Sequence, residues 1–282
     1  MESLFAEPDR VAASADGTPI GYWRFGEGPA VLALHGLATD HERWRSFAAV
    51  LGRRYTVCLM DRRGRNSSGD TLPYAFDREI DDVCAVVRDI GSAVVLGHSL
   101  AGPIAMEAAR RLPMVTGVVN YEGWQSEEGP APQDLIERLE ALVMSGDYEE
   151  AYTLDDPPEA IAELKAEPMW PSRVAAAFTI PRELRAWNGY WAGEPTFGDI
   201  EAPTLFLMGS ENEAAYRPEA DRLMARMARA ESAVIPGQGH QAHRSAPDAM
   251  VRAITPFLDR CRSRTPSRGR QDADIDRTGR RT

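Results

Sequence analysis

Lysine is nearly missing from this chain: of 32 lysine and arginine side chains, only Lys165 is a lysine. The phosphate-cradling pattern G-x-x-x-x-G-K-[ST], which needs a lysine to reach the terminal phosphates, is absent. Cysteine is also sparse. Cys58, Cys84 and Cys261 lie far apart, with no C-x-x-C spacing and an odd total, so no disulfide framework is expected and all three read as structural thiols. No apolar run approaches the roughly 18 residues needed to span a bilayer. The opening MESLFAEPDR lacks a basic stretch followed by an apolar one, so no secretory signal is expected and a cytoplasmic location is. The five histidines lack ligand spacing, and the acidic pairs Asp81-Asp82 and Glu149-Glu150 fall on helix faces expected to be solvated. Neither a metal nor a cofactor is expected.

Positive charge is outweighed as well. A formal net charge of −11 argues against a sequence-independent grip on nucleic acid or an anionic membrane, because either surface repels an acidic face. A small molecule is the expected partner, and monomer and homodimer both stay open. Seven arginines crowd positions 262–281, in a segment whose only aliphatic residue larger than alanine is Ile275. Such a segment buries too little surface to offset its ordering entropy, so residues 263–282 are expected to be a disordered tail.

The rest of the 282 residues, at 43% apolar content overall, suffices for one large domain. Asp16-Gly17 tolerates the positive φ of a tight turn, which predicts a hairpin of residues 11–15 and 20–25. Apolar runs follow at 30–34, 55–60, 93–96 and 115–121, separated by helical patterns at 43–51, 80–89 and 99–112. The rhythm resumes at 204–208 and 232–235, with helical patterns at 219–228 and 246–258. Runs that are apolar throughout predict strands buried on both faces, hence a doubly wound α/β fold: a mostly parallel sheet of about eight strands with helices on each side. Between 124 and 195, prolines at 130, 132, 157, 158, 168, 171 and 181 punctuate short helical patterns such as 134–144, and no buried strand stands out. The expected organisation is a core of residues 1–123 and 196–262 with a helical cap, 124–195, inserted into it.

Within that frame, Gly97-His98-Ser99-Leu100-Ala101-Gly102 places a serine between small residues at a strand-to-helix junction. A nucleophile held on so sharp a turn needs small neighbours two positions either side, here Gly97 and Ala101. A helix starting there also aims free N–H groups at any anion that forms. His35-Gly36-Leu37 ends an earlier strand, and the backbone N–H groups of Leu37 and Leu100 are the expected oxyanion hole, with His35 structural. Pro236-Gly237-Gln238-Gly239-His240 puts a histidine on a flexible loop after the last strand, in position to act as general base; His41, His98 and His243 are weaker candidates.

Residues 10–260 thus resemble the α/β-hydrolase superfamily, with the elbow, the His-Gly loop, the Asp61-Arg62-Arg63-Gly64-Arg65-Asn66-Ser67-Ser68-Gly69 stretch and the terminal Gly-Gln-Gly-His all in family order. Asn66 replaces a usual glycine, which asparagine's tolerance of left-handed φ permits. The resemblance implies a triad acid after the strand at 204–208, but Asn212 occupies that slot. Glu122, after the strand at 115–121, matches the catalytic glutamate of some haloalkane dehalogenases, which differ in attacking with aspartate. Glu122 is the favoured acid; Glu213 and Glu211 stay open. Serine, histidine and an oxyanion hole suit attack on the carbonyl of an ester, thioester or lactone. Trp124, Trp170, Phe178, Trp187, Tyr190 and Trp191 concentrate aromatic surface in the cap, which points to an apolar or aromatic substrate. A serine hydrolase is the primary expectation. A cyclase or C–C bond-cleaving enzyme, or a receptor that keeps the triad, remains an alternative on the same fold.

Overall fold

The structure, a computed structural model, describes residues 7–124, 130–154, 157–195 and 197–262. The tail expected from 263 onward lies outside them.

Eight strands form one sheet: β1 (Arg10–Ala13), β2 (Pro19–Phe25), β3 (Ala30–Leu34), β4 (Thr56–Met60), β5 (Ala93–His98), β6 (Val115–Tyr121), β7 (Thr204–Gly209) and β8 (Ala230–Ile235). Their order is β1-β2-β4-β3-β5-β6-β7-β8. Only the pairings of β2, with β1 and with β4, are antiparallel. The β1–β2 turn carries Gly17 at φ +81°, and Thr18 N–H donates to the Asp16 side chain at 3.0 Å.

The continuous apolar runs have the cause anticipated from sequence. Along β3, Leu32 and Leu34 face one layer while Val31 and Ala33 face the other; β7 splits likewise, Phe206 and Met208 against Leu205 and Leu207. The first layer packs on α2 (Phe76–Ile90), α3 (Ala101–Arg111) and α9 (Glu213–Met224), the second on α1 (Arg45–Leu51), α10 (Ala242–Ser245) and α11 (Pro247–Arg262). The chain leaves β3 toward β4 and then returns to lay β5 on its other side. This reversal opens a crevice at the carboxyl ends of β3 and β5, the usual ligand position in open α/β sheets.

Among the described residues, five α-helices lie between β6 and β7: α4 (Gln133–Ser145), α5 (Tyr148–Thr153), α6 (Pro158–Ala166), α7 (Trp170–Ala176) and α8 (Ile180–Ala192). Three of the prolines read as interruptions are helix starters. Pro158, Pro171 and Pro181 stand in the first turns of α6, α7 and α8, where a missing N–H costs nothing. Lys165 lies near the end of α6 and pairs with Glu149 of α5 at 2.5 Å. Leu139, Ala151, Ala177 and Ile180 of this insertion pack with Ala38, so the insertion rests on the loop after β3.

Two expectations need correction. Helix α9 begins at Glu213, six residues before the expected start at 219, and carries Pro218 inside it. The Asn212 carbonyl already accepts from the Ala215 and Tyr216 N–H groups, so the helix is nucleated ahead of the proline. Asp82 is not on a solvated face: it is fully buried, at 2.7 Å from Arg63, and burial pushes its carboxyl up to about 6 despite that partner.

A buried ionic network ties the insertion to the core. Glu183 of α8 lies 3.1 Å from Arg62 and 2.5 Å from Arg65, and Arg62 also meets Glu79 at 2.7 Å, all of them buried. Burial alone would raise the Glu183 carboxyl pKa, but the two guanidiniums outweigh it and hold it below the ordinary carboxylate value. Several aromatics of residues 124–191 pack on one another and on the core. Trp124 packs on Phe206 and Tyr216, and Tyr190 stacks on Phe76 at 4.6 Å while meeting Trp191 and Phe197. Their number therefore does not specify a substrate.

Candidate active site

Ser99 follows β5 directly and has φ +54°, a left-handed conformation that costs energy in any residue with a Cβ. Its N–H donates to the Tyr121 carbonyl at 2.9 Å, and its carbonyl accepts from Gly102 N–H at 2.8 Å. A Cβ at Gly97 would stand 2.2 Å from the Ala101 carbonyl oxygen. Alanine fits at 101 because the next close approach falls on Gly102, whose added Cβ would meet Asn120 Oδ1 at 2.2 Å and Gly123 Cα at 2.6 Å.

The loop after β3 lies against this turn. A Cβ at Gly36 would be 3.1 Å from Ser99 Cβ, so the glycine lets the backbone reach the serine. His35 is fully buried, and its Nε2 accepts from Arg62 N–H at 3.1 Å. That leaves Nδ1 to donate to the Gly36 carbonyl at 3.0 Å, which also accepts from the Arg62 guanidinium at 3.1 Å. Burial, then the charges of Arg65 and Arg62, hold this imidazole well below its usual pKa, so it acts as a neutral brace. Among the described residues, neither Leu37 nor Leu100 N–H is used in a backbone hydrogen bond outside the regular elements.

His240 and Glu122 are brought together. His240 Nδ1 lies 2.6 Å from Glu122 Oε2. The carboxylate is 2% exposed and accepts two further bonds, from Gly209 N–H at 2.7 Å and from Asn212 Nδ2 at 3.0 Å. Glu122 has φ +45°, a second strained position at the end of a strand. The other acids lie elsewhere: Glu213 pairs with Arg217 at 2.7 Å, and Glu211 lies by Gly239. Close packing sets the reach of the histidine loop, because a Cβ at Gly209 would be 2.1 Å from the Gln238 carbonyl oxygen.

Three positioning residues escaped the sequence reading. Asn212, in the slot where an acid was sought, donates to Glu122. Tyr121 hydroxyl donates to the Gly239 carbonyl and accepts from Ala242 N–H at 3.1 Å, anchoring both sides of His240. His98 Nε2 donates to the His240 carbonyl at 2.9 Å, so the residue before the serine holds the loop of the histidine. No local signal in the sequence gives these roles, because each contact reaches a partner at least 90 positions away.

His41 is near this region but differently employed. Its backbone N–H and Nδ1 both meet Asp61 Oδ1, at 3.0 and 2.9 Å, its Nε2 lies 3.3 Å from Glu42, and its ring stacks on Trp23. Burial alone would lower its pKa, but the two carboxylates outweigh that and push it up to about 9. A folded pKa above the unfolded value contributes stability that is complete below about pH 6.5 and lost as pH rises through about 9. The expected loss is about 3 kcal/mol. Urea unfolding across this window should show the loss in the parent and a flatter profile in His41→Gln; identical profiles would show that His41 is not charged in the fold.

Residues 31–253 match the family model described as the alpha/beta hydrolase family. A 2-(acetamidomethylene)succinate hydrolase of Mesorhizobium japonicum is 25% identical over 257 residues, covering 83% of this chain and 89% of its own. A pimeloyl-[acyl-carrier protein] methyl ester esterase of Nitrosospira multiformis is also 25% identical, covering 82% of this chain and 95% of its own. Among solved structures, an alpha/beta hydrolase from Sphaerobacter thermophilus superposes with a TM-score of 0.75 at 32% identity, covering 89% of this chain and 99% of its own. A match running from the third strand into the last helix, on a sheet of this order, means that the chain belongs to the alpha/beta hydrolase family.

Proposed function

We propose that this hydrolase cleaves an ester-type bond, in a carboxylic ester, thioester or lactone of a small molecule, with Ser99 as nucleophile, His240 as general base and Glu122 as the acid that orients it. The observation that carries the reading is the 2.6 Å contact of His240 Nδ1 with a buried carboxylate, on a loop held at 2.9 Å by His98, the residue before the strained Ser99. With Nδ1–H committed to Glu122, Nε2 is left as the proton acceptor. Ser99 Oγ attacks the carbonyl carbon as its proton passes to Nε2, and the N–H groups of Leu37 and Leu100 receive the negative oxygen. The imidazolium returns the proton to the leaving oxygen or sulfur as its bond breaks. Water, deprotonated by the same nitrogen, then clears the acyl group and restores Ser99. The inserted helices, resting on the loop after β3, act as the cap that closes the site from above.

The relatives support the class of reaction, one being named as a methyl ester esterase and another as a hydrolase of a substituted succinate. The test is covalent labelling with a serine-directed fluorophosphonate followed by peptide mapping. An adduct on Ser99, absent in Ser99→Ala and much slower to form in Glu122→Gln, is expected. A folded parent that takes no label would overturn the activated serine.

A further inference from the structure

Beside His240, under the insertion, guanidinium groups outnumber carboxylates. Arg43 lies in the 3-10 turn His41–Trp44 and donates through Nη2 to Gln241 Oε1 at 2.7 Å, on the residue next to His240. Its Nη1 is buried with no hydrogen-bond partner among the described residues. Arg173, on α7, is 1% exposed, and its Nε and Nη2 are likewise without a hydrogen bond. The Arg173 Nη2 lies 2.7 Å from Glu167, close enough for charge pairing though not in hydrogen-bonding geometry. The same Glu167 is shared with Arg244 at 3.0 Å. Two guanidiniums thus share one carboxylate, and Arg43 is near enough to feel the charges of both.

The surroundings do not supply the missing negative charge. Burial, followed by the charges of Arg173 and Arg244, lowers the Arg43 guanidinium pKa to about 10, the mark of cations crowded together out of water. Tyr152, which faces both Arg43 and Arg173, is a phenol pushed further toward its neutral form by burial. The buried imidazoles His98 and His243 are held well below their usual pKa, chiefly by burial, and stay uncharged. Leaving buried guanidinium N–H groups unpaired is costly, and in a chain of net charge −11 the excess of positive charge here is local and specific.

We infer that the site takes a substrate bearing a carboxylate, bound by Arg43 and Arg173 while its ester carbonyl lies at Ser99. This rests on the hydrolase reading above and replaces the apolar or aromatic substrate expected from the cap aromatics. A carboxylate offers two planar oxygens that match guanidinium forks, and its charge offsets the local excess. The inserted helix α7 then serves recognition as well as cover, because it delivers one of the two arginines.

The test uses two p-nitrophenyl esters that differ only at the far end of the acyl chain: the hemisuccinate, which ends in a carboxylate, and the butyrate, which ends in a methyl group. The parent is expected to favour the hemisuccinate in kcat/KM by at least about 10-fold. In Arg43→Gln and Arg173→Gln that ratio should fall by about 10- to 100-fold, through KM for the hemisuccinate. Arg222→Gln, on the exposed face of α9, should keep the parental ratio. A parent with no preference, or a preference untouched in both variants, overturns the proposal. Calorimetry with succinate and with inorganic phosphate on the parent protein needs neither turnover nor a variant that folds. Succinate binding weakened by Arg43→Gln supports the carboxylate site even if neither ester is cleaved, an outcome that would count against the hydrolase reading alone. Phosphate bound more tightly than succinate, or neither bound, counts against the carboxylate.

Discussion

Hydrolysis of p-nitrophenyl butyrate by the Ser99→Ala protein is expected to fall roughly a million-fold in kcat, and by Glu122→Gln roughly ten-thousand-fold. The first loss follows from removing the atom that forms the acyl bond, after which only the oxyanion contacts and substrate binding remain. The second follows from counting donors around the carboxylate. His240 Nδ1, Gly209 N–H and Asn212 Nδ2 converge on two oxygens. A glutamine at 122 presents one oxygen and one NH2, so at least one donor must face another donor. The imidazole can escape that clash only by carrying its proton on the wrong nitrogen or by turning away. Steady-state kinetics on the variants, with circular dichroism to establish folding, decides the matter. A Glu122→Gln enzyme within about tenfold of the parent would remove Glu122 from the catalytic group.

Glu183→Gln should lower the unfolding free energy by about 3–5 kcal/mol. Glu183 is the carboxylate between Arg62 and Arg65, in a region with no exposure to water. Burial works against the Arg62 charge, and Glu183 and then Glu79 overcome it. Removing Glu183 leaves Arg62 with Glu79 but strands the guanidinium of Arg65, whose other side-chain bond is to the Arg63 carbonyl at 3.0 Å. Urea titration followed by tryptophan fluorescence measures the loss. A change under about 1 kcal/mol would mean that the attraction within the pair barely exceeds its cost of desolvation.

The core was legible because its signals are local. Short β-branched runs such as Val94-Val95-Leu96 read as strands covered on both faces, and the small residues around Ser99 reflect contacts within a few positions of it. The contact of Glu122 with His240 was anticipated through the match of one segment to haloalkane dehalogenases, which attack with aspartate. What stayed hidden depends on partners distant in sequence. Nothing at position 212 says that an asparagine amide will donate to a carboxylate 90 positions earlier. Asp82 looks like any acidic residue on a helix until Arg63 is folded against it. Prolines in the insertion read as breaks because a proline that starts a helix and one that ends it leave the same mark in composition. The start of α9 lies ahead of the 219–228 pattern for a related reason: Pro218 stands inside the helix, past the turn at Asn212 that nucleates it.

The scarcity of lysine has a practical side. Lys165 is 46% exposed on α6, and its ion-pair partner Glu149 also belongs to the inserted helices. Apart from the chain's own α-amine, reagents that seek primary amines therefore have one address, away from the sheet. A dye or surface linker coupled there would report on the insertion or hold the molecule by it, while leaving the serine, the histidine and the glutamate chemically untouched.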